Sequence, residues 1–345
     1  MKGDIYMKAT PSHERINVLD TLRGFALFGI VFMNILSLLR PSDPNTVMEH
    51  YYIYALHIFI DGKFFMIFSF LFGVGFYLFI HRAIERGDRA YVLFTKRLLL
   101  LLGFGLIHMQ FQPGEALTIY AVSGLLLLFA YRLPRSVNLI LGLIGLAVLA
   151  YTSTKLLMPL ALILLGLAAG QYEVFRHVHT HRVRWQVGLV VTGILSAGFV
   201  WLQYTNLPSL SYFNVGYTPT NEEIQAYIRM LDYSNWSAPF LAAFYITILV
   251  NMSQLRTTRS WFAPLQAFGR MALTNYLLQT ALMVTVATFG QTFTTIETGL
   301  WAIVINAVLI VFSMVWLRRF TYGPMEKVWR LGTYSRFRQG ILSSK

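Results

Sequence analysis

The feature that most constrains this sequence is a series of apolar runs, each about 20 residues long. A run of that length crosses the ~30 Å hydrocarbon core of a bilayer as an α-helix, whereas a spanning β-strand needs only about ten alternating residues. Lipid offers no hydrogen bonds to an open backbone, so only helices or closed barrels can span it. The runs therefore predict an all-α, polytopic transmembrane bundle, with residues 1–345 forming one integral membrane domain.

The composition supports the same class of protein. Only 12% of the residues are charged and 56% are hydrophobic, whereas soluble domains carry about 25% charged residues. The absence of cysteine excludes disulfides and thiolate chemistry. The first run, 19–39, is too long for the core of a signal peptide and is followed by Arg40-Pro41 rather than a cleavage site, so we expect an uncleaved first span.

The number and orientation of the spans follow from the positive charge between them. With ten spans, the connecting segments alternate in basicity, and one side holds 22 of the 28 lysines and arginines. Positive residues stay cytoplasmic, so we expect an even number of spans and both termini in the cytoplasm. The predicted spans are 19–39, 62–81, 97–112, 115–131, 137–153, 156–172, 186–204, 236–253, 268–289 and 299–318, with an outer loop at 205–235 and a basic cytoplasmic tail at 319–345.

The net charge of +13 is explained mainly by this topology. The basic tail is also expected to contact anionic membrane lipid, at about 1 kcal/mol per charge. The sequence has no nucleic-acid-binding motif, so nucleic acid is not an expected partner. A homodimer is left open.

Two segments outside the spans have patterns of their own. Residues 46–61 are aromatic and sparsely charged, which is typical of a segment at the outer interface. In the outer loop, Thr220 and Glu223 form a capping-box pattern that predicts a short amphipathic helix. That helix is either a brace on the surface or a lid over an outward-facing cavity.

Polar residues in the first span lie on one face. Asp20, Arg23 and Asn34 fall within an arc of about 60° on a helix, and Asp20 and Arg23 are spaced to pair. Ionisable groups inside a bilayer face a cavity or a partner. The set is either a functional stripe or a buried ion pair that fixes helix packing.

The third span carries a second stripe. Arg97 and His108 are separated by about 16 Å along a helix and share a face. The turn after His108 places Glu115 near the ring. A histidine with a carboxylate neighbour is typical of proton transfer, because the carboxylate orients the ring and stabilises its charged form. A histidine that serves only packing is the alternative.

The ninth span contains Arg270 near its start, followed by Asn275 and Gln279 on one face. Interhelical amide hydrogen bonds are the alternative to a functional role. Two other features are set aside. His177, His179 and His181 lie among arginines that would repel a cation, so no metal is expected, and glycines 73 and 75 are expected to permit close helix packing.

Five segments spread along the chain carry a family pattern. They are RINVLDTLRGFAL (15–27), GKFF with SFLFG (62–73), GLIH (105–108), GRMALTNYLLQ (269–279) and GPMEKVWR (323–330). Together they resemble the YeiB-like family of bacterial membrane proteins, which implies a location in the bacterial cytoplasmic (inner) membrane. The chain departs from the family in the turn after His108, where Gln112-Pro113-Gly114-Glu115 replaces a tryptophan and a Gly-Asp pair.

The YeiB-like family resembles the transmembrane acyltransferase superfamily, which includes heparan-α-glucosaminide N-acetyltransferase. This resemblance implies transfer from cytoplasmic acyl-CoA, with acetyl-CoA as the co-substrate, to a small-molecule, glycan or lipid-linked acceptor outside. In this hypothesis Arg23, Arg97 and Arg270 hold the phosphates. His108 is base or nucleophile, and Glu115 orients it. The residues expected to bind the acceptor or to stabilise the oxyanion are Asp20, Asn34, Lys63, Asn275 and Gln279.

Two other functions fit the same polar stripes. A transporter or exporter of a small metabolite would use them to line a solute path, with Asp20 or Glu115 titrating. Against transport stand the absence of an internal repeat and of an obvious pair of discontinuous helices. A non-catalytic lipid-binding protein would bury the stripes in dry packing.

Overall fold

The computed structural model describes residues 16–112, 114–213, 216–255, 257–258, 260–290 and 292–334. The basic residues at 2, 8, 15, 256 and 259 and the tail beyond 334 lie outside the described residues. Within the described part every regular element is helical. The α-helices are α1 Asn17–Leu39, α2 Val47–Ala55, α3 Lys63–Glu85, α4 Ala90–His108, α5 Leu117–Ala130, α6 Arg135–Tyr151, α7 Met158–Gln171, α8 Arg182–Tyr204, α9 Asn221–Ser253, α10 Ala263–Arg270, α11 Ala272–Ala287, α12 Thr295–Arg319 and α13 Pro324–Tyr334.

The membrane character of the bundle is clear from its helix lengths. Six stretches of the described chain are long and apolar enough to cross a bilayer, namely α1, α2 continued into α3, α4, α8, α9 and α12. Four shorter apolar helices (α5, α6, α7 with the turn before it, and α11) lie where the other four spans were predicted. A multi-pass all-α protein is therefore confirmed, while ten crossings and the side of each terminus stay predictions.

The centre of the bundle is formed by α1 and α3. Helix α1 contacts α3 and α9 to α12, while α3 contacts α4, α5, α7 and α9 as well. Glycines permit the closest approaches. A Cβ on Gly24 of α1 would lie 2.1 Å from a carbonyl oxygen of α10, and one on Gly269 of α10 would lie 2.0 Å from a carbonyl oxygen of α1. Gly73 makes the same kind of backbone contact with α7, which confirms its predicted packing role.

Helix α9 corrects one prediction. The outer amphipathic helix and the span 236–253 are a single helix of 33 residues, although the capping box of Thr220 and Glu223 is present as predicted. The polar stretch between them is buried and bonded to neighbouring elements instead of forming a loop. Ser234 donates to the carbonyl of His57, and Ser237 accepts from Gln203.

The predicted span 268–289 is also wrong as a single helix, because it is broken at Met271. Side chains satisfy the groups that the break exposes. Asn275 donates to the carbonyl of Phe268 at the end of α10. Glu326 accepts from the backbone N–H groups of Leu273 and Thr274 at the start of α11. An apolar run alone gives no sign of such a break.

The two segments flanking the bundle are structured. Residues 47–60 form α2 and a π-helical turn at Leu56–Ile60, and a capping box of Thr46 and Glu49 starts α2. The described part of the predicted tail contains α13, which packs on α4 and α11. The indole N–H of Trp329 on α13 donates to the carbonyl of Arg97 at 2.8 Å.

Candidate functional site

A cavity of about 480 Å³ lies inside the bundle, and its lining comes from α1, α3, α4, α5, α7, α9, α10, α11 and α13. Its lining changes in character along its length. Three arginines, Arg23, Arg97 and Arg270, lie at one end, which we call the arginine end. The other end, which we call the polar end, is lined by Asn34, Asp61, Lys155 and Asn235.

At the arginine end, Arg23 is held by local contacts on α1. Its guanidinium donates to the carboxylate of Asp20 at 3.1 Å, as the spacing predicted. Gly75 of α3 leaves room for it, since a Cβ there would lie 3.3 Å from the Arg23 Nη2 atom. The close backbone contact of Gly24 with α10 brings the neighbouring Arg270 to the same cavity.

Arg97 is fixed by aromatic rings. Its guanidinium lies 4.6 Å from the ring centroid of Phe79 and 3.9 Å from that of Trp329. Such cation–π contacts are worth about 0.5–2 kcal/mol. Arg270 donates to the carbonyl of Thr321 at 3.4 Å, just before α13. Helix α13 and the segment just before it therefore support two of the three arginines.

The middle of the cavity is mostly aromatic. Tyr120 stacks between Phe68 and Phe72 and bonds through its hydroxyl to Ser69 at 3.0 Å. Tyr276 of α11 lines the same region. A passage of this kind suits an apolar chain or a narrow organic arm, with charge accommodated at the ends.

The polar end was not predicted from the sequence, apart from Asn34. Asp61 accepts from Lys155 at 2.9 Å and lies 3.5 Å from the Nδ1 atom of His57. Asn235 comes from α9. The string at 62–65 directed attention to Lys63, which lies two residues after Asp61 in the sequence. No sequence pattern links Asp61 with Lys155 and Asn235, which come from three separate elements.

His108 lies beside the cavity and does not line it. It is 4% exposed, and its Nε2 atom bonds to the hydroxyl of Thr280 at 2.8 Å. Its ring centroid is 4.8 Å from that of Tyr276, which does line the cavity. Glu115 is near, as predicted, with 3.6 Å between its Oε1 atom and the His108 Nδ1 atom. Glu115 also accepts from the backbone N–H of Thr118, so it caps α5.

Asp20, described above, and three other predicted site residues are buried away from the cavity lining. Lys63 donates to the carbonyl of His57 and to Ser234. Asn275 bridges the break after Met271, and Gln279 donates to the carbonyl of Leu27. These bonds match the packing alternative for the amides, while their part in binding stays a prediction. Among the described residues, no group of acidic or histidine side chains is arranged to hold a metal ion.

Comparison with known proteins identifies the family. A family model described as a protein of unknown function, DUF418, matches residues 169–336. An uncharacterized 39.9 kDa protein from the amylase 3' region of Bacillus acidopullulyticus is 42% identical over 94% of this chain and 95% of its own length. The chain belongs to this family. YxaH of Bacillus subtilis (strain 168) is 28% identical over 95% of this chain and 96% of its own.

A further relative carries the name of the family that the sequence segments resemble. YeiB of Escherichia coli (strain K12) is 27% identical over 92% of this chain and 96% of its own length. Membership of the YeiB-like family is thereby confirmed. No solved structure matches the chain, and the names of these relatives assign no activity, so a function has to be argued from the cavity.

Proposed function

We propose that this DUF418 protein is a transmembrane acyltransferase of the bacterial inner membrane. It takes an acyl group, with acetyl as the first choice, from acyl-CoA at the arginine end and transfers it to an acceptor at the polar end. The observation that carries the proposal is the single cavity with three arginines at one end, aromatic walls in the middle and uncharged amides with an ion pair at the other.

The arginine end suits the nucleotide of coenzyme A. Guanidinium groups bind phosphate oxygens through two parallel hydrogen bonds and keep their charge. Arg23 and Arg97 are held in place by Asp20 and by two aromatic rings, so little freedom is lost when a phosphate binds. The positively charged end would therefore attract and orient an anionic donor.

The middle of the cavity suits the arm that carries the thioester. Arg97 and His108 lie eleven residues apart on α4, a rise of about 16 Å. An extended pantetheine arm covers that distance. The apolar walls at Phe68, Phe72 and Tyr276 exclude water from the thioester and so limit its hydrolysis.

The proposed reaction breaks the thioester C–S bond and forms a C–O or C–N bond to the acceptor. The acceptor gives up one proton, and the coenzyme A sulfur leaves as a thiolate and takes one up. His108 is proposed to receive the acceptor proton, with Glu115 stabilising the charged ring. In the present structure Tyr276 lies between His108 and the cavity, so this assignment requires Tyr276 to move aside.

Transport is the second candidate, and two observations favour it. The cavity is lined by residues from both ends of the bundle, and the helix pair α10–α11 is broken at Met271. Broken helices next to a central cavity are common in secondary transporters. In the sequence, the absence of an obvious pair of discontinuous helices was an argument against transport. The break at Met271 removes that argument for transport of an anionic solute.

The test uses native membranes that contain the overproduced protein, so that the acceptor is present. Acetyl-CoA labelled in the acetyl group is supplied to inside-out vesicles, and two products are measured: free coenzyme A thiol and label in lipid, glycan and soluble fractions. A transferase releases thiol in step with transfer of label. The His108→Gln variant, which keeps a polar side chain but cannot accept a proton, is expected to lose transfer and to retain donor binding.

Matched membranes with the wild-type protein and with an Arg132→Ala control should behave alike, because Arg132 does not line the cavity. Label that moves into the vesicle lumen as intact acetyl-CoA, with no thiol released, would instead establish transport. Full transfer by the His108→Gln variant would remove His108 from the mechanism and leave the arginine end as the remaining assignment.

A further inference from the structure

The polar end contains a buried hydrogen-bond acceptor that no group of the described chain satisfies. Asn235 lines the cavity and is only 6% exposed. Its side-chain oxygen, Oδ1, has no partner among the described residues. Leaving a buried polar atom unpaired costs about 1–3 kcal/mol, so such atoms in native proteins call for an explanation. Its position on the cavity wall indicates a partner that comes from the cavity.

The other groups at the polar end offer both kinds of hydrogen bond. The carboxylate of Asp61 accepts, the ammonium of Lys155 donates, and the two are joined at 2.9 Å. The amide of Asn34 offers a donor and an acceptor. Along the cavity lining, the charges of Asp61 and Lys155 offset each other, and the nearby ammonium of Lys63 lies outside the lining, bonded to the His57 carbonyl and the Ser234 hydroxyl. A ligand ion of either sign would therefore meet one group that repels it.

The polar end is also held in shape by the protein. Lys63 donates to the carbonyl of His57 at 2.7 Å and to the hydroxyl of Ser234 at 2.9 Å. These bonds tie the π-helical turn, which leads into Asp61, to the part of α9 that carries Asn235. Gly62, which lies between Asp61 and Lys63 in the sequence, adopts a φ of +80° and adds no side chain to the cavity. The Lys63 hydrogen bonds therefore hold the elements that carry Asp61 and Asn235, the two acceptors of the polar end, in a fixed arrangement.

We propose that the polar end binds a small neutral molecule that carries several hydroxyl groups. Asn235 Oδ1 and the Asp61 carboxylate accept from ligand hydroxyls, while Lys155 and the Asn34 amide donate to ligand oxygens. A polyhydroxyl ligand presents donors and acceptors together without charge, which this set of groups requires. Binding of this ligand does not depend on the proposed function. Only its role as the acyl acceptor rests on that proposal.

The test exploits the absence of cysteine from the chain. Ala238 lines the cavity one helical turn beyond Asn235, so the single thiol of an Ala238→Cys variant reports on the polar end. The rate at which a small methanethiosulfonate reagent modifies it is measured in lipid nanodiscs, which avoid sugar-based detergents. The neutral probes are glycerol, myo-inositol and glucose; the charged probes are glucosamine and glucose 6-phosphate.

We expect at least one neutral probe to slow modification in a saturable way, and the charged probes to be weaker at equal concentration. Adding Asn235→Ala should weaken that protection by roughly two- to tenfold, the effect of one buried hydrogen bond. Asn206→Ala is the matched control, because Asn206 is a partly exposed amide that bonds to Arg229 and does not line the cavity. Asn235→Asp, which keeps an acceptor at Oδ1, should retain more protection than Asn235→Ala.

Three results would overturn the proposal: a reactive thiol that no neutral probe protects, a charged probe that protects best, or a thiol that never reacts. Binding of coenzyme A is measured on the same variants and separates this proposal from the previous one. Asn235→Ala should keep coenzyme A binding, whereas Arg23→Ala should lose it and keep protection by the neutral probe. If no protein, wild type included, bound coenzyme A while the neutral probe still protected the thiol, only the proposed transferase would be contradicted.

Discussion

Lys63 is a positive charge held entirely inside the protein, where an unpaired charge would cost several kcal/mol. It is stabilised by the His57 carbonyl and the Ser234 hydroxyl. Replacing it with methionine keeps the bulk and removes both bonds. We expect Lys63→Met to lower the free energy of unfolding by about 1–3 kcal/mol, measured by thermal and denaturant unfolding in detergent.

The control for this substitution is Lys327→Met, on the exposed face of α13. It should change stability by less than about 0.5 kcal/mol. Equal stability of the two variants would show that the lysine does not hold the π-helical turn to α9.

Single residues were predictable where one helix carries the whole pattern. The spacing of Asp20 and Arg23 was enough to predict their ion pair, and the spacing of Arg23 and Asn34 placed both on one wall of the cavity. Asp61, Lys155 and Asn235 come from three elements far apart in sequence. Their meeting depends on how the segments before α3 and α7 pack near α9, which no local spacing encodes.

Helices α1 and α10 meet through glycines, and this contact positions Arg23 and Arg270. A Cβ on Gly24 would lie 2.1 Å from a backbone oxygen, so the helices must separate to admit alanine. We expect Gly24→Ala to destabilise the protein by about 1–3 kcal/mol, as overpacking does, and to weaken coenzyme A binding. Unfolding and calorimetric titration measure the two effects.

Gly103→Ala is the matched control, since a Cβ there would have nothing within 4 Å. In the middle of α4 it should leave stability unchanged or raise it by up to about 1 kcal/mol, because alanine favours helix. If Gly24→Ala behaved like Gly103→Ala, the backbone contact would not position the arginines.

Helix α13 is tied to the break in α10–α11 through Glu326. Burial raises the pKa of Glu326 above its ordinary value of 4.5, although hydrogen bonds from Thr274 and Leu273 oppose the shift. The carboxyl therefore holds its proton more tightly in the folded protein than in the unfolded chain. Its contribution to stability is fully present below pH 4.5 and is lost as the pH rises through its higher folded-state pKa.

Glu326→Gln keeps an acceptor for α11 and removes the titration. We expect the melting temperature of this variant to fall less than that of the wild type as the pH rises from 4.5 to 8. Glu222→Gln, in the exposed first turn of α9, serves as the control and should follow the wild type. A variant with the wild-type pH slope would show that Glu326 does not titrate in this range.

Helices were predictable from apolar runs and capping patterns. They were less predictable where side chains replace the backbone hydrogen bonds of a helix. The capping box at Thr220 was found, and the same pattern begins α2 at Thr46 and α12 at Thr294. The break at Met271 was missed because its two ends are capped from a distance, by Asn275 and Glu326.

At the scale of the whole molecule, the predicted topology places the arginine end in the cytoplasm and the polar end outside. Because the chain has no cysteine, single-cysteine variants can locate each loop. We expect Lys155→Cys to react with a membrane-impermeant maleimide in intact cells, and Arg132→Cys to react only after the membrane is opened. Reaction of both from the outside would contradict a membrane crossing by α6, which lies between the two positions.

The most direct test of the account is calorimetric titration of purified protein with acetyl-CoA and coenzyme A. We predict saturable binding that Arg23→Ala and Arg270→Ala each weaken by roughly ten- to a hundredfold, since hydrogen bonds to charged groups contribute about 1.5–3 kcal/mol. Arg132→Ala should bind like the wild type. Binding that is absent from well-folded wild-type protein, or that is equal in all four proteins, would contradict the claim that the arginine end holds an acyl-CoA.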